Sequence, residues 1–473
     1  MSNHSSNIVK EYLIKLFKDQ NISVPANRRD AFERFIQKPE TVSAVNLINQ
    51  TKNQLMANWK IQERITEIIN QPVRILNASV GKSYEAKLDF NKLGWTDIAT
   101  YRFEGLGEAG LSFNEQQQQI TGNPKQSGDI NIGFLFKLQG QADDEPLNKK
   151  IITLIINPDP KSLWKTIDND KNDPYWKEDA VTQFEPIGDR HILVSSKRGR
   201  SHANVGSFRE DDFAFKDLGN GWSIVVVADG AGSAKLSRKG SQMACNGIVE
   251  FFTEESATAN LQQFDELLAQ HNTQTDDSTQ NKIKLFVYNN LGKAVFTVHK
   301  KLESFAAEAG ATLKDLSSTL IFTLFKKYES GYVFLSFGVG DCPMAVINRE
   351  VTEVTLLNWL DVGEFGGGTR FITMPEIFKS DKFATRFSFK QLKDFSYLML
   401  MSDGIYDPKF IVEASLPNIT KWQDLLNDLG GNNEEGVKVD LSADNADIIP
   451  QLSAWMDFWS AGNHDDRTLA IVF

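Results

Sequence analysis

The chain has 473 residues, 41% hydrophobic and 24% charged, which are the proportions of a globular protein long enough for two or three domains and exclude a wholly disordered chain. Its formal net charge of −11, with no clustered Lys or Arg tract, excludes a nucleic-acid partner, because phosphate backbones are held by such clusters. The two cysteines, Cys245 and Cys342, supply neither a disulfide framework nor a Cys-based zinc site.

The N-terminus, MSNHSSNIVKEYLIKLF, lacks the basic start and apolar core of a signal peptide. No stretch approaches the ~18 uninterrupted apolar residues of a membrane helix, so a cytoplasmic chain without a membrane partner is expected. Residues 1–71 carry helical periodicity: Ile8, Tyr12, Leu13, Leu16 and Phe17 form one apolar stripe, and Trp59, Ile61, Ile65, Ile68 and Ile69 form another. From 72 to 159 the pattern changes to short runs such as TYRFEGL, INIGFLFKL and IITLIINPD, separated by Gly, Asn and Asp, which suits an all-β sandwich. GLGEAGLSF at 105–113, ITGNPKQSGDINI at 120–132 and the closing IITLIINPDP make this region resemble bacterial immunoglobulin-like domains, which act as spacers or interaction modules. Residues 160–184, rich in Asp, Asn, Lys and Pro, read as a linker. Buried-strand and helix patterns then alternate through 185–473.

Two motifs are declined. Gly105, Gly107 and Gly110 have the spacing of a dinucleotide-binding turn, but LSFNEQQQQITGNP follows and alternates like a strand instead of opening a helix. Gly81, Lys82 and Ser83 end like a phosphate-binding loop, but Leu76 stands where that motif requires glycine.

The informative pattern is a set of carboxylates at strand ends. WSIVVVADGAGSA sets Asp229 and Gly230 directly after a buried run, and YVFLSFGVGDC sets Asp341 in a turn. YLMLMSDGIYD sets Asp403 after a third run, HDDRTLAIVF sets Asp465 and Asp466 before the last strand, and SFREDDFAF sets Glu210, Asp211 and Asp212 before another. One Asp-Gly after a strand is an ordinary turn. Several converging on one sheet edge repel by kilocalories unless cations lie between them. An all-oxygen set selects hard ions such as Mg²⁺ or Mn²⁺, and two of them about 4 Å apart suit phosphoester hydrolysis.

REDDF, VVVADGAGS, SSTLIFTLF, GVGDC, LMSDGIYD and DDRTLAIVF occur in an order and strand context that resemble the metal-dependent protein phosphatase family, type 2C, across residues 185–473. The resemblance implies a multidomain chain whose C-terminal part is an α+β four-layer αββα sandwich, preceded by the immunoglobulin-like sandwich and the helical region. It implies a protein serine/threonine phosphatase that binds two Mn²⁺ or Mg²⁺, with a third, weaker ion in some members, and attacks phosphorus with a hydroxide bridging the two metals. Carried over, Asp229 bridges both metals and Gly230 offers its carbonyl. Asp403 and Asp465 complete the first site, Glu210 and Asp211 hold the waters of the second, and Asp341 serves the third.

The pattern is departed from in three places. The arginine that often binds substrate phosphate is Gly206 here, with His202, Arg200 and Arg209 as local substitutes. The histidine of animal members two residues after the bridging aspartate is Ala231, and Cys342 stands where serine is common. SHANVGSFREDD, with His202 nine residues before Asp211, looks most like a bacterial subgroup. If His202 binds phosphate as imidazolium, substrate affinity should fall as pH rises through its pKa. Cys342 does not suit a cysteine phosphatase, since Asn348 replaces the arginine of Cys-x5-Arg.

His464, beside Asp465, is read either as an acid near the metals or as a turn residue. The glycine-rich EFGGGTRFIT at 364–373 falls where the family carries a variable flap, and Met243, Gly247, Ile248, Phe251 and Phe252 share a core-facing helix side. The expected partners are a phosphorylated protein substrate and, through the N-terminal regions, a kinase or von Willebrand factor A-like protein, which family analogues are often encoded beside. The alternative is a catalytically silent domain serving as a binding scaffold, which the missing arginine permits.

Overall fold

The computed structural model describes residues 3–273, 276–361 and 368–473, with side chains from residue 7. The chain forms two compact units, Met1–Leu163 and Trp164–Phe473. Among the described residues, no helix is long and apolar enough to cross a membrane.

The first unit opens with α1 (Asn3–Asp19), α2 (Arg29–Ile36) and α3 (Pro39–Asn70). Val9, Leu13, Phe32, Ile36 and Val45 form a small core among them. Leu13, with Tyr12, Leu16 and Phe17 packed against the core, follows the expected stripe of α1, and only at its start does Val9 take the buried place expected of Ile8. On α3, Ile65 and Ile68 join the core of the strands that follow, while Trp59 stays 59% exposed, because only the last turns of the helix carry apolar residues into that core.

Those strands are β1 (Ala78–Ser79), β2 (Tyr84–Lys87), β3 (Ile98–Glu104), β4 (Leu111–Asn114), β5 (Gln119–Gly122), β6 (Gly128–Leu138) and β7 (Asn148–Asn157). They form one sheet in the order β1-β7-β6-β3 and a second in the order β2-β5-β4, around a core that includes Trp95, Phe134 and Phe136. From Lys150 to Asn157, β7 alternates buried and exposed residues, the period of two that a sheet with one covered face requires. After the Gly105 region comes a single 3₁₀ turn (Gly107–Ala109) and then a strand, not a helix.

The second unit holds β8 (Ala180–Ile187), β9 (Arg190–Lys197), a short α4 (Arg200–Val205), β10 (Asp212–Gly219) and β11 (Trp222–Ala228). Three long helices follow: α5 (Ser237–Thr253), α6 (Glu255–Thr273) and α7 (Asp277–Glu308). Next are β12 (Leu320–Tyr328), β13 (Gly331–Val339), β14 (Met344–Asn348), β15 (Val354–Leu356), β16 (Phe387–Leu392) and β17 (Phe395–Met401). Helices α8 (Asp403–Phe410), α9 (Ile419–Leu429) and α10 (Ile448–Trp455) precede the last strand, β18 (Arg467–Val472).

Two antiparallel sheets result, β10-β11-β12-β13-β16 and β15-β14-β17-β18-β9-β8. Period-two alternation sends Val225, Val227, Phe334, Val194, Leu398 and Val472 into the shared interior. The alternate positions Ile224, Val226 and Leu335 pack under α5, α6 and α7, and Leu193, Met399 and Leu469 pack under α8, α9 and α10. These are the four layers of an αββα sandwich. Because both faces are covered, every residue of β11 is buried, at about 1.5–3 kcal/mol for each large apolar side chain.

Residues 160–184 have the composition of a linker, yet 164–179 belong to the second unit and Ala180 begins β8. A few of their polar side chains are tied into the unit while most of the others stay exposed: Trp176 donates to Asn169 at 2.9 Å, Asn169 to Asp179 at 2.6 Å, and Lys177 is buried.

Candidate metal centre

Antiparallel register decides where the acidic residues meet. Asp212 at the start of β10 pairs with Ala228 at the end of β11, and Leu320 at the start of β12 pairs with Val339 at the end of β13. In the other sheet, Met401 at the end of β17 lies against Leu469, and Arg467 at the start of β18 lies against Lys197 at the end of β9. The residues just beyond these ends are Glu210, Asp211, Asp229, Asp341, Asp403, Asp465 and Asp466. The sequence spread them over more than half the chain, and the ladders bring them to one edge of each sheet.

Close backbone approach completes the convergence. A Cβ at Gly230 would fall 2.6 Å from the Glu210 carbonyl, and one at Gly404 would run into the Asp466 carbonyl. Glycine at both positions lets the Asp229 and Asp403 turns close on their neighbours. The Asp229 backbone is pinned by Thr319, whose hydroxyl accepts from Asp229 N at 2.8 Å and whose own N–H donates to Asp229 O at 2.8 Å. Asp211 accepts from Thr468 Oγ1 at 2.7 Å, and Asp341 from Thr369 Oγ1 at 2.6 Å. These hydroxyls were missed in the sequence; Thr319 and Thr468 lie at the start of buried runs, and Thr369 lies in an irregular segment with no such signal.

The electrostatics are those of carboxylates crowded out of water. Burial, then the charge of Asp403 and of Asp211, Asp465 and Asp341, pushes Asp229 well above the usual carboxylate range. Burial, then Asp465 and Asp341, does the same to Asp403, and burial raises Asp211, with Asp466 adding to it. Glu210 is pushed up to about 7, chiefly by burial. Asp403 Oδ1 and Glu210 Oε2 are buried without a hydrogen-bond partner. Orphaned buried carboxylate oxygens in an all-oxygen cluster fit hard divalent cations, which would supply the missing charge. Cys342 Sγ lies 4.0 Å from Asp229 Oδ2, and its ligand atom groups with those of Asp229 and Asp341 within 4.8 Å. Burial, with the charges of Asp229 and Asp341 adding to it, pushes that thiol well up in the metal-free chain.

Asp466 organises the opposite wall. Its carboxylate accepts from Gly199 N at 2.6 Å, from Glu210 N, and from Asp211 N at 3.3 Å. His202 lies against it, Nδ1 to Oδ1 3.1 Å, with Nε2 3.6 Å from Asp465. Burial alone would raise Asp466; His202 and these backbone N–H groups instead hold it low.

The other sequence candidates fall outside the centre. Arg209 is buried and spends its guanidinium on Glu178 O, Ser196 Oγ and Asp211 O. Arg200 donates to the carbonyls of Phe458 and Asp457 and stacks over Trp459. Neither substitutes for the family arginine. Gly206 closes α4 at φ +73°, and a Cβ there would meet Ile167 Cγ2 at 3.0 Å, so the turn itself demands glycine. His464 packs at a tilt against Trp164 and Trp459, at 4.3 and 4.8 Å between ring centroids, and burial lowers its pKa, so it packs the turn as a neutral ring. Residues 364–367 of the expected flap lie outside the described residues.

Residues 198–441, just over half the chain, match the family description Protein phosphatase 2C. Solved structures with similarity include a serine/threonine phosphatase of Staphylococcus aureus, at 14% identity over 59% of this chain and 93% of that one, with a TM-score of 0.34. PppA of Pseudomonas aeruginosa aligns at 15% identity over 62% and 98%, with a TM-score of 0.36. The catalytic domain of the phosphatase PstP, solved with two manganese ions, aligns at 14% identity over 62% and 98%, with a TM-score of 0.35. No curated protein matches the chain. Asp229, Asp341 and Asp403 lie inside the matched span and Asp465 and Asp466 just beyond it, so the strand-end carboxylates and the family match concern the same unit, and the chain belongs to the protein phosphatase 2C family.

Proposed function

We propose that the second unit is a metal-dependent protein serine/threonine phosphatase. The observation that carries this reading is the convergence of Asp229, Asp403, Asp211, Asp341 and Asp465, raised together by burial and mutual repulsion, with an orphaned oxygen on Asp403. In this reading Asp229, with the Gly230 carbonyl, would hold the ions, Asp403 and Asp465 would complete the first site, and Glu210 and Asp211 would serve the second. Asp341 serves a third. Mn²⁺ or Mg²⁺ bound there supplies an activated water and positive charge for a phosphoryl oxygen.

The chain's own residues do the positioning. Thr319 orients the Asp229 backbone, Thr468 orients the Asp211 carboxylate, and Asp466 aligns the N–H groups of Glu210 and Asp211. With Gly206 in place of the family arginine, His202, lying against Asp465 and Asp466, is the cation that in this reading complements the substrate phosphate. In this reading the strands of the first unit are an immunoglobulin-like sandwich that serves as a spacer or docking module for a partner protein.

The deciding experiment is release of phosphate from a phosphothreonine peptide by purified protein with and without Mn²⁺. Activity that depends on Mn²⁺ and disappears in EDTA is expected. Turnover that persists in EDTA after metal removal sinks the mechanism, and no turnover despite Mn²⁺ binding favours the scaffold alternative that Gly206 permits.

A further inference from the structure

The loop carrying Glu210 and Asp211 is held by a lysine from outside the matched span. Lys177 is 6% exposed. Its ammonium donates to the Asp211 carbonyl at 2.7 Å and to the Arg238 carbonyl at 3.4 Å, and stands 2.9 Å from the Asp212 carboxylate. Arg209 Nη1 donates to the same Asp211 carbonyl at 2.7 Å. The segment that carries Lys177 is fastened on both sides of it. Arg238 grips both Asp173 oxygens at 2.9 Å and donates to Tyr175 O at 3.1 Å, while Asp179 pairs with Arg198 at 3.2 Å.

We infer that Lys177 is a positioning residue for the metal centre, braced by residues 169–179 and acting through the backbone of Asp211. The peptide plane is rigid, so holding the Asp211 carbonyl sets that residue's ψ and with it the direction of its Cβ. Thr468 Oγ1 fixes the far end of the side chain. Two cationic donors on one buried carbonyl oxygen leave the Asp211 peptide little freedom to turn. The brace thus converts a polar segment with the composition of a linker into part of the metal site.

This inference rests on the metal reading above, and its test separates the two. Mn²⁺ affinity is measured on the full chain by electron paramagnetic resonance of free Mn²⁺, with melting followed by circular dichroism. The double variant Lys177→Met, Asp212→Asn removes one charge of each sign, so no buried charge is orphaned and the net field is unchanged. Asp265→Asn, which breaks an ion pair with Lys326 (2.8 Å) that belongs to neither the brace nor the metal centre, is the control for general stability. The double variant is expected to bind Mn²⁺ at least tenfold more weakly, while Asp265→Asn melts earlier but keeps its Mn²⁺ affinity within twofold. Should the double variant fail to fold, Lys177→Met alone, which removes the donor, is read by the same outcomes. A folded variant with wild-type Mn²⁺ affinity overturns the inference, as does an equal loss in Asp265→Asn. A wild-type protein that binds no Mn²⁺ removes the metal reading itself, and the inference with it.

Discussion

His202 Nδ1 stands 3.1 Å from Asp466 Oδ1, and both side chains are largely withdrawn from water, at 12% and 2% exposure. Burial pulls the imidazole down, but Asp466, Glu210 and Asp465 outweigh it and raise His202 to about 10. In the metal-free protein the imidazole is therefore charged at neutral pH, and its proton resonances should show no titration from about pH 6 to about pH 9 in EDTA. His202→Ala leaves a buried carboxylate without its cation and should cost about 3 kcal/mol in urea unfolding; a stability unchanged from wild type would remove the pair from this account.

Asp229→Asn and Asp403→Asn should each lower turnover by about a hundredfold or more, as loss of a charge that holds the ions requires. Without metal the sign reverses. Each substitution removes one charge from a crowded, buried cluster, so the metal-free variants should melt no lower than wild type and should lose most of the Mn²⁺-induced rise in melting temperature. Normal turnover in either variant at saturating Mn²⁺ would strike that residue from the ligand set.

Protonation gives a further test. Glu210 sits at about 7 in the folded chain, mainly through burial, against an ordinary 4.5. Between those values the folded state keeps a proton that the unfolded state has lost, so the metal-free protein should lose stability as pH rises from about 5 to about 7. Asp229 and Asp403, raised further, act in the same direction. Melting curves in EDTA should fall across this range, and Mn²⁺ should raise them most at the alkaline end, by binding the folded state alone. A melting temperature in EDTA that rises with pH would contradict the cluster as described.

Truncation at residue 185 should fail. A chain beginning at 185 discards most of β8, Lys177 and the Asp173–Arg238 pair, whereas one beginning at 164 keeps the whole second unit. The 164–473 protein should hydrolyse a small phosphoester at a rate close to full length, and the 185–473 protein should be insoluble or at least about tenfold slower. Equal rates for both would deny the segment any role.

Gly206→Arg, which restores the residue type common in the family, should gain nothing. The position needs φ +73° and has Ile167 against it, so a cost of roughly 1–2 kcal/mol is expected from strain alone. Improved KM without loss of stability would show that the turn can be rebuilt.

Much of the second unit was legible because its evidence is local. A buried strand shows as a short apolar run, and a carboxylate just beyond the run marks the sheet edge: Ile224 to Ala228 before Asp229 and Tyr397 to Met401 before Asp403 were enough to place both at strand ends. Residues 164–179 were misleading for the converse reason. Asp, Asn and Lys look solvated when read one at a time, and only their pairing with Arg238, Arg198 and Asp212 lets them pack into the second unit.

The sequence by itself determined the order of strands and acidic turns and the oxygen-only chemistry of the set, since run length, period and residue type require no knowledge of neighbours. Only the tertiary structure decided that Arg200 and Arg209 face away, that His464 is a packing ring, that Asp466 and His202 form a pair, and that Lys177 lies behind Asp211. Those outcomes depend on which groups lose water together, a property of residues brought into contact across more than two hundred and fifty positions of chain, as between His202 and Asp466.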